Sequence, residues 1–209
     1  MSSFHRYGIF LLLACSPWTA MAQATEMGTE VTVWVESGFA VANSQFSGRR
    51  EMPLGTHEVV LSSGASGLNG IVVTSRRLLG FSSRALTWTK IELGVNEKVL
   101  ERKILPTFTL IRTDHDLYGF RGVNGLWLKE SLGVREKVRQ AYCNDYGAVF
   151  ITNERAVGFT PLLGGFASKP LDVHEQILGV DNDNGLIVVS TTRRTLVLGS
   201  RLSGWEEFD

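Results

Sequence analysis

Cysteine is close to absent: the 209 residues hold only Cys15 and Cys143. Neither sign of charge prevails, with 21 Lys and Arg against 21 Asp and Glu. After the first two dozen residues no apolar run approaches the roughly 18 residues that cross a bilayer as a helix. Each shortage excludes something. Without paired cysteines the fold rests on packing, with no disulfide framework to staple it. Balanced charge over the whole chain gives no electrostatic reason to expect nucleic acid or an anionic membrane as partner. Chemical signatures are missing as well. There is no Gly-x-Ser-x-Gly elbow, no phosphate-cradling glycine loop and no zinc spacing, so neither cofactor nor metal is expected.

The first segment is a targeting signal by pattern. Residues 1–22 have a short polar start with Arg6, an apolar run from Gly8 to Cys15 and a small-residue end, Ala20-Met21-Ala22. That pattern predicts an exported, periplasmic or secreted chain, cleaved after Ala22. The competing reading is a lipoprotein signal in which Cys15 carries the lipid. The mature chain then runs from Gln23 to Asp209 as one domain, and Cys143 is its only thiol.

What the chain does have is repetition. GIVVTSRRLLGF from Gly70, TLIRTDHDLYGF from Thr109 and AVFITNERAVGF from Ala148 lie 39 residues apart. Further columns share the spacing: Thr74, Thr113, Thr152 and Thr191; Glu58, Glu97, Glu136 and Glu175; Trp88, Trp127, Phe166 and Trp205. Agreement of independent columns at one period marks a repeat architecture. Each unit reads as short strands: Gly70–Thr74, Leu78–Phe81, a run with Trp88 and Ile91, and a half-exposed outer strand over Glu97–Ile104. Asn69-Gly70, Asp145-Tyr146-Gly147 and Asn184-Gly185 supply turns at the unit junctions.

Four short strands per unit at a fixed period resemble the β-propeller class, in which each unit forms one blade around a channel. The WD and kelch signatures are absent, so the resemblance is architectural. It implies an all-β, five-bladed propeller of four-stranded antiparallel blades, with units starting at 31, 70, 109, 148 and 187. The fifth unit stops short of its last strand, which the residues before Val31 would help complete. An open solenoid of the same units is the alternative.

Candidate sites follow from what repeats and what does not. The glutamate column, with Arg77, Arg155 and Arg194 in phase, reads as scaffold pairing or as a ring for an acidic ligand. The aromatic column reads as packing between blades or as sugar platforms. Asp181 to Gly185 reads as an inter-blade turn, its glycine one position early for a calcium loop. A binding site on a ring of like units uses what one unit has and the others lack. That points to Arg49, Arg50, Arg112, Asp114, His115, Asp116, Arg121, Tyr142 and Lys169. The resulting expectation is a monomeric, non-catalytic envelope module that binds a protein or glycan partner through loops on one face. The alternatives are a carbohydrate hydrolase or lyase with channel carboxylates, and a structural envelope component.

Overall fold

The computed structural model describes residues 28–162, 164–183, 185–199 and 204–209; the expected leader, with Cys15, lies outside them. The described residues form nineteen strands and no helix, arranged as five antiparallel sheets. The first sheet comprises β1 (Val31–Glu36), β2 (Phe39–Ser44) and β3 (Gly48–Pro53). The second comprises β4 (Val60–Ser66), β5 (Asn69–Thr74), β6 (Arg77–Ser82) and β7 (Thr87–Glu92). The third comprises β8 (Val99–Ile104), β9 (Phe108–Thr113), β10 (Asp116–Arg121) and β11 (Leu126–Ser131). The fourth comprises β12 (Val138–Asn144), β13 (Gly147–Thr152), β14 (Arg155–Thr160) and β15 (Gly165–Pro170). The fifth comprises β16 (Ile177–Asp183), β17 (Leu186–Thr191), β18 (Thr195–Gly199) and β19 (Trp205–Phe208). The architecture is all-β and of the propeller class.

The blade frame differs from the expected one. The run ending at Ile104 is not the outer strand of the unit before it; β8 pairs with β9, in the next sheet. The turns at Asn69-Gly70 and Asp145-Tyr146-Gly147, expected at unit junctions, join strands of one sheet. The reason is loop length. Tight turns join strands within a sheet, whereas the six-residue segments 54–59, 93–98, 132–137 and 171–176 carry the chain from one sheet to the next. The fifth sheet is therefore complete, and the first is the one with three described strands.

Successive sheets stack face to face through four apolar clusters. Ile71, Val73 and Leu78 of the second sheet meet Ile111, Tyr118 and Phe120 of the third. Phe108, Leu110 and Leu117 meet Ala148, Phe150, Val157 and Phe159. Val149, Ile151 and Ala156 meet Ile187, Val189, Leu196 and Leu198. Because both faces of a middle sheet are covered, β5 and β13 are buried at every residue. A strand buried on both faces reads as a continuous apolar run, which is why GIVVT and AVFIT lack alternation. Glycine makes the fit: a Cβ on Gly80, Gly119 or Gly158 would lie 2.5, 2.2 or 2.7 Å from Phe120, Phe159 or Leu198. Each glycine is the hole for the large side chain of the next sheet.

The first sheet is turned over. Val31, Ala40 and Ala42 face the second sheet, whereas the repeat puts the opposite phase, Thr32, Trp34 and Val41, in that role. The cause is local. Ser37 and Gly38, both at positive φ, form a two-residue turn closed by Glu36↔Phe39, where the second sheet uses a four-residue turn closed by Val73↔Leu78. The tighter turn matches strand twist directly and moves the register of the hairpin. Among the described residues, no apolar cluster and no hydrogen bond joins the fifth sheet to the first.

Candidate functional site

The strand order gives the stack two distinct ends. The crossover end holds the six-residue inter-sheet segments and the β5–β6 type turns. The hairpin end holds the turns after β4, β8, β12 and β16 and the loops after β2, β6, β10, β14 and β18.

At the crossover end the glutamate column builds a repeated clasp. Glu58 accepts from Gly55 N–H at 2.6 Å, from Thr74 Oγ1 at 2.6 Å and from Arg77 Nε at 2.8 Å. Arg77 also donates to Pro53 O at 2.7 Å, tying the turn to the preceding sheet. Glu136 and Glu175 repeat the arrangement with Arg155 and Arg194, which reach Ser131 O and Pro170 O. Burial alone would raise the Glu58 and Glu175 pKa values. The hydrogen bonds from arginine, threonine and backbone N–H outweigh it and hold both at about 2. A carboxylate so held cannot give up a proton near neutral pH; it fastens sheets.

The third sheet departs from the clasp. Asp116 stands where the other turns carry arginine, and its carboxylate pairs with Lys129 Nζ at 2.8 Å. Tyr118 Oη donates to Glu97 at 3.0 Å in place of the guanidinium. Burial and the Glu97 charge push the Tyr118 phenol up, so it stays a donor. Asp116 is pushed down: burial opposes, and Lys129 and Ser131 prevail. The departure is thus a rewired clasp whose groups are all partnered.

The aromatic column lies between sheets. Trp88 and Trp127 are buried on Phe81 and Phe120, and Phe166 packs on Phe159. Trp88 Nε1 donates to Arg50 O at 3.2 Å and Trp205 Nε1 to Ala167 O at 2.9 Å, each in the preceding sheet.

The nine residues singled out from the sequence fall in several places. Arg112 and Tyr142 come together, with Glu101, Lys103 and Cys143, in a crevice between the third and fourth sheets whose free volume is about 20 Å³. That admits a water molecule and little else. Arg112 pairs there with Glu101 at 3.2 Å, and a hydrogen bond to Cys143 raises the Lys103 pKa. Asp114 and His115 pair with one another at 2.8 Å on the crossover end. Arg49 binds Glu51 and Glu36 on the first sheet, Arg50 lends its carbonyl to Trp88, and Lys169 pairs with Glu207. Arg121, at the hairpin end of β10, has buried Nε and Nη2 atoms with no acceptor among the described residues. An open cleft of about 800 Å³ separates the fourth sheet from segment 171–176, lined by Gln140, Asn153, His174 and Gln176 among others.

Two surface features escaped sequence reasoning. The second residue of the inter-sheet turns at Gly94, Gly133 and Asp172 is a fully exposed valine: Val95, Val134 and Val173. The register shifts that follow Val60, Val99, Val138 and Ile177 turn Leu61, Leu100, Arg139 and Leu178 outward. The valine column has the 39-residue period and was legible in principle. An apolar column reads as core until coordinates show which way it points. At the hairpin end, Phe46, Leu86, Val123, Tyr146 and Leu162 are exposed.

No family model matches the chain, and no curated protein matches it. Solved structures do, and these neighbours are β-propeller proteins. The N-terminal domain of Nup159 aligns at 10% identity and TM-score 0.36, over 86% of this chain and 58% of that one. BamB from Moraxella catarrhalis aligns at 12% identity and TM-score 0.34, over 86% and 61%. The extracellular domain of the one-component system BT4673 from B. thetaiotaomicron aligns at 12% identity and TM-score 0.30, over 88% and 28%. The chain thus spans less than two thirds of each of these neighbours.

Proposed function

We propose that this chain is a non-catalytic binding module of the bacterial envelope, exported and monomeric, which holds a protein or glycan partner on the loops of its hairpin end. One observation carries the reading. Phe46, Leu86, Val123, Tyr146 and Leu162 expose large apolar side chains on loops and turns of that end, beside central strands such as β5, β6, β13 and β14 that bury theirs. The loop sequences differ from sheet to sheet (Phe46 sits where the next units have Ala85 and Asn124), as a surface shaped for one partner does. Arg84 lies over the Phe46 ring at 5.1 Å and adds a cation to the apolar face. Exposed aromatics beside arginine are the residue types that anchor interfaces. Carboxylate chemistry supports a holding role too. Glu36, Glu58, Asp114, Asp116, Glu136, Glu175 and Glu207 all have lowered pKa values, opposite to what a general acid requires.

The test is capture from an envelope extract, run beside a glycan array, with the wild-type chain and with Phe46→Ala/Tyr146→Ala. The expected result is a retained protein or glycan whose binding weakens at least about tenfold in the variant, the loss of two anchoring aromatics. Silence of the wild type in both formats, or equal retention by the variant, overturns the reading.

A further inference from the structure

The crossover end has a different character from the hairpin end. Val95, Val134 and Val173 are 93–106% exposed, the most exposed large apolar side chains described in the molecule, and they recur at one turn position. The turn does not need them. In the second inter-sheet turn, Gly94 N–H and O bond Glu97, and Asn96 takes the positive φ of 61°. Val95 lies between those fixed points and touches nothing that the turn requires. The first segment shows as much, for Thr56 serves at the same place. On the strands that follow three of the inter-sheet segments, Leu61, Leu100 and Leu178 are aimed outward by the register shifts near the start of β4, β8 and β16. Bulges of this kind re-aim a side chain, and here three of the four re-aim a leucine into solvent.

Charge on this end is lopsided although the whole chain is balanced. The exposed charged residues of its loops and turns are Arg76, Lys98, Arg135, Lys137 and Arg193 against Asp114, Glu154 and Asp172. Asp172 and Arg193 neutralise one another at 2.7 Å, which leaves four cations against two anions. The buried glutamates of the clasps are answered by their own arginines.

We propose that the crossover end is a membrane-docking surface, which rests on an anionic lipid bilayer with its valine tips in the headgroup–acyl boundary. Three features select this occupant. The same apolar tip recurs on successive sheets, so whatever it meets offers the same chemistry at each contact; a bilayer is laterally uniform, and a protein surface is not. Valine and leucine seek an apolar medium, which a polyanionic polymer lacks and the acyl boundary supplies. The cation excess matches anionic headgroups, each basic residue near the surface adding electrostatic attraction. Docked in this way, the module presents its hairpin end, with the proposed partner loops, away from the membrane.

Co-sedimentation of the full chain with vesicles decides the matter. Vesicles of phosphatidylcholine with roughly 30% phosphatidylglycerol are compared with pure phosphatidylcholine, for the wild type and for Val95→Asp/Val134→Asp/Val173→Asp. These positions are exposed, so the variant folds, and a thermal melt confirms it. The expected result is binding to anionic vesicles, weakened by salt as headgroup attraction is screened, and a partition coefficient at least about tenfold lower for the variant. Wild-type chain that stays in the supernatant, or a variant that sediments equally, overturns the proposal. So does loss by this variant of a protein captured from extract, which would make the tips a protein interface. Phe46→Ala/Tyr146→Ala retains vesicle binding, so failure here leaves the hairpin-end reading standing, and the reverse holds too.

Discussion

Gly119 shows how much one hydrogen atom in place of a side chain decides here. Its absent Cβ leaves room for the Phe159 ring, which also packs on Phe108 and Phe166. Gly119→Ala puts a carbon 2.2 Å from Phe159 Cε2. The ring must then move within a closed cluster, and the expected loss is about 1–3 kcal/mol in urea unfolding. An unchanged midpoint would show that the hole is not needed. Glu175 is the electrostatic counterpart, with its side chain fully buried against Arg194. Its folded pKa of about 2 lies below the ordinary 4.5, so its contribution is complete above about pH 4.5 and lost as pH falls toward 2. Glu175→Gln leaves Arg194 its Glu207 partner and should cost on the order of 1–3 kcal/mol at pH 7, flattening the pH dependence of stability between pH 4.5 and 2. Equal slopes for wild type and variant in that window would contradict the assignment. At this scale the sequence was informative about identity and silent about direction. The glutamate column was visible as spacing, but Glu97 with Tyr118 and Asp116 with Lys129 needed coordinates to be seen as one rewired clasp.

Sheets, taken as elements, were legible as strands and misframed as units. Gly70–Thr74 and Leu78–Phe81 fall within β5 and β6, because buried β-branched runs between turn residues have few other solutions. The run ending at Ile104 was correctly a strand and wrongly grouped, since period alone does not say where a unit starts. Loop length does: six residues cross between sheets, while shorter turns stay within one. The fifth sheet is also distinct in a readable way. Its outward face carries Ser190, Thr195 and Val197 where the fourth has Ile151, Ala156 and Gly158. Val197 stands in the place of Gly158, so this face lacks the glycine hole into which the next sheet's large side chain packs elsewhere in the chain. Removing residues 172–209 uncovers Val149, Ile151 and Ala156, each at most 2% exposed in the whole chain. The truncated chain should aggregate at micromolar concentration and melt well below the full chain. A soluble truncation with an unshifted melting temperature by scanning calorimetry would show that the fifth sheet does not protect the fourth.

Seen whole, the molecule is a stack with two unlike ends. One repeats its surface from sheet to sheet and carries a local excess of cations; the other varies and exposes aromatic and aliphatic side chains. Charge counted over the chain balances and so concealed this asymmetry, which exists only once the 39-residue repeat is folded into parallel positions. The vesicle and capture experiments address one end each.

By itself the sequence determined the class of architecture, because a period of short apolar runs with turn residues can bury its faces only by stacking one small sheet on another. It also determined which residue types sit in every junction, since columns at one spacing meet the same neighbours. Tertiary structure alone decided the blade frame, the inverted first sheet and the outward aim of the valines and leucines. Those depend on which strands share hydrogen bonds and on which side of a turn the chain leaves. Both are relations between distant residues, and a linear period does not record them.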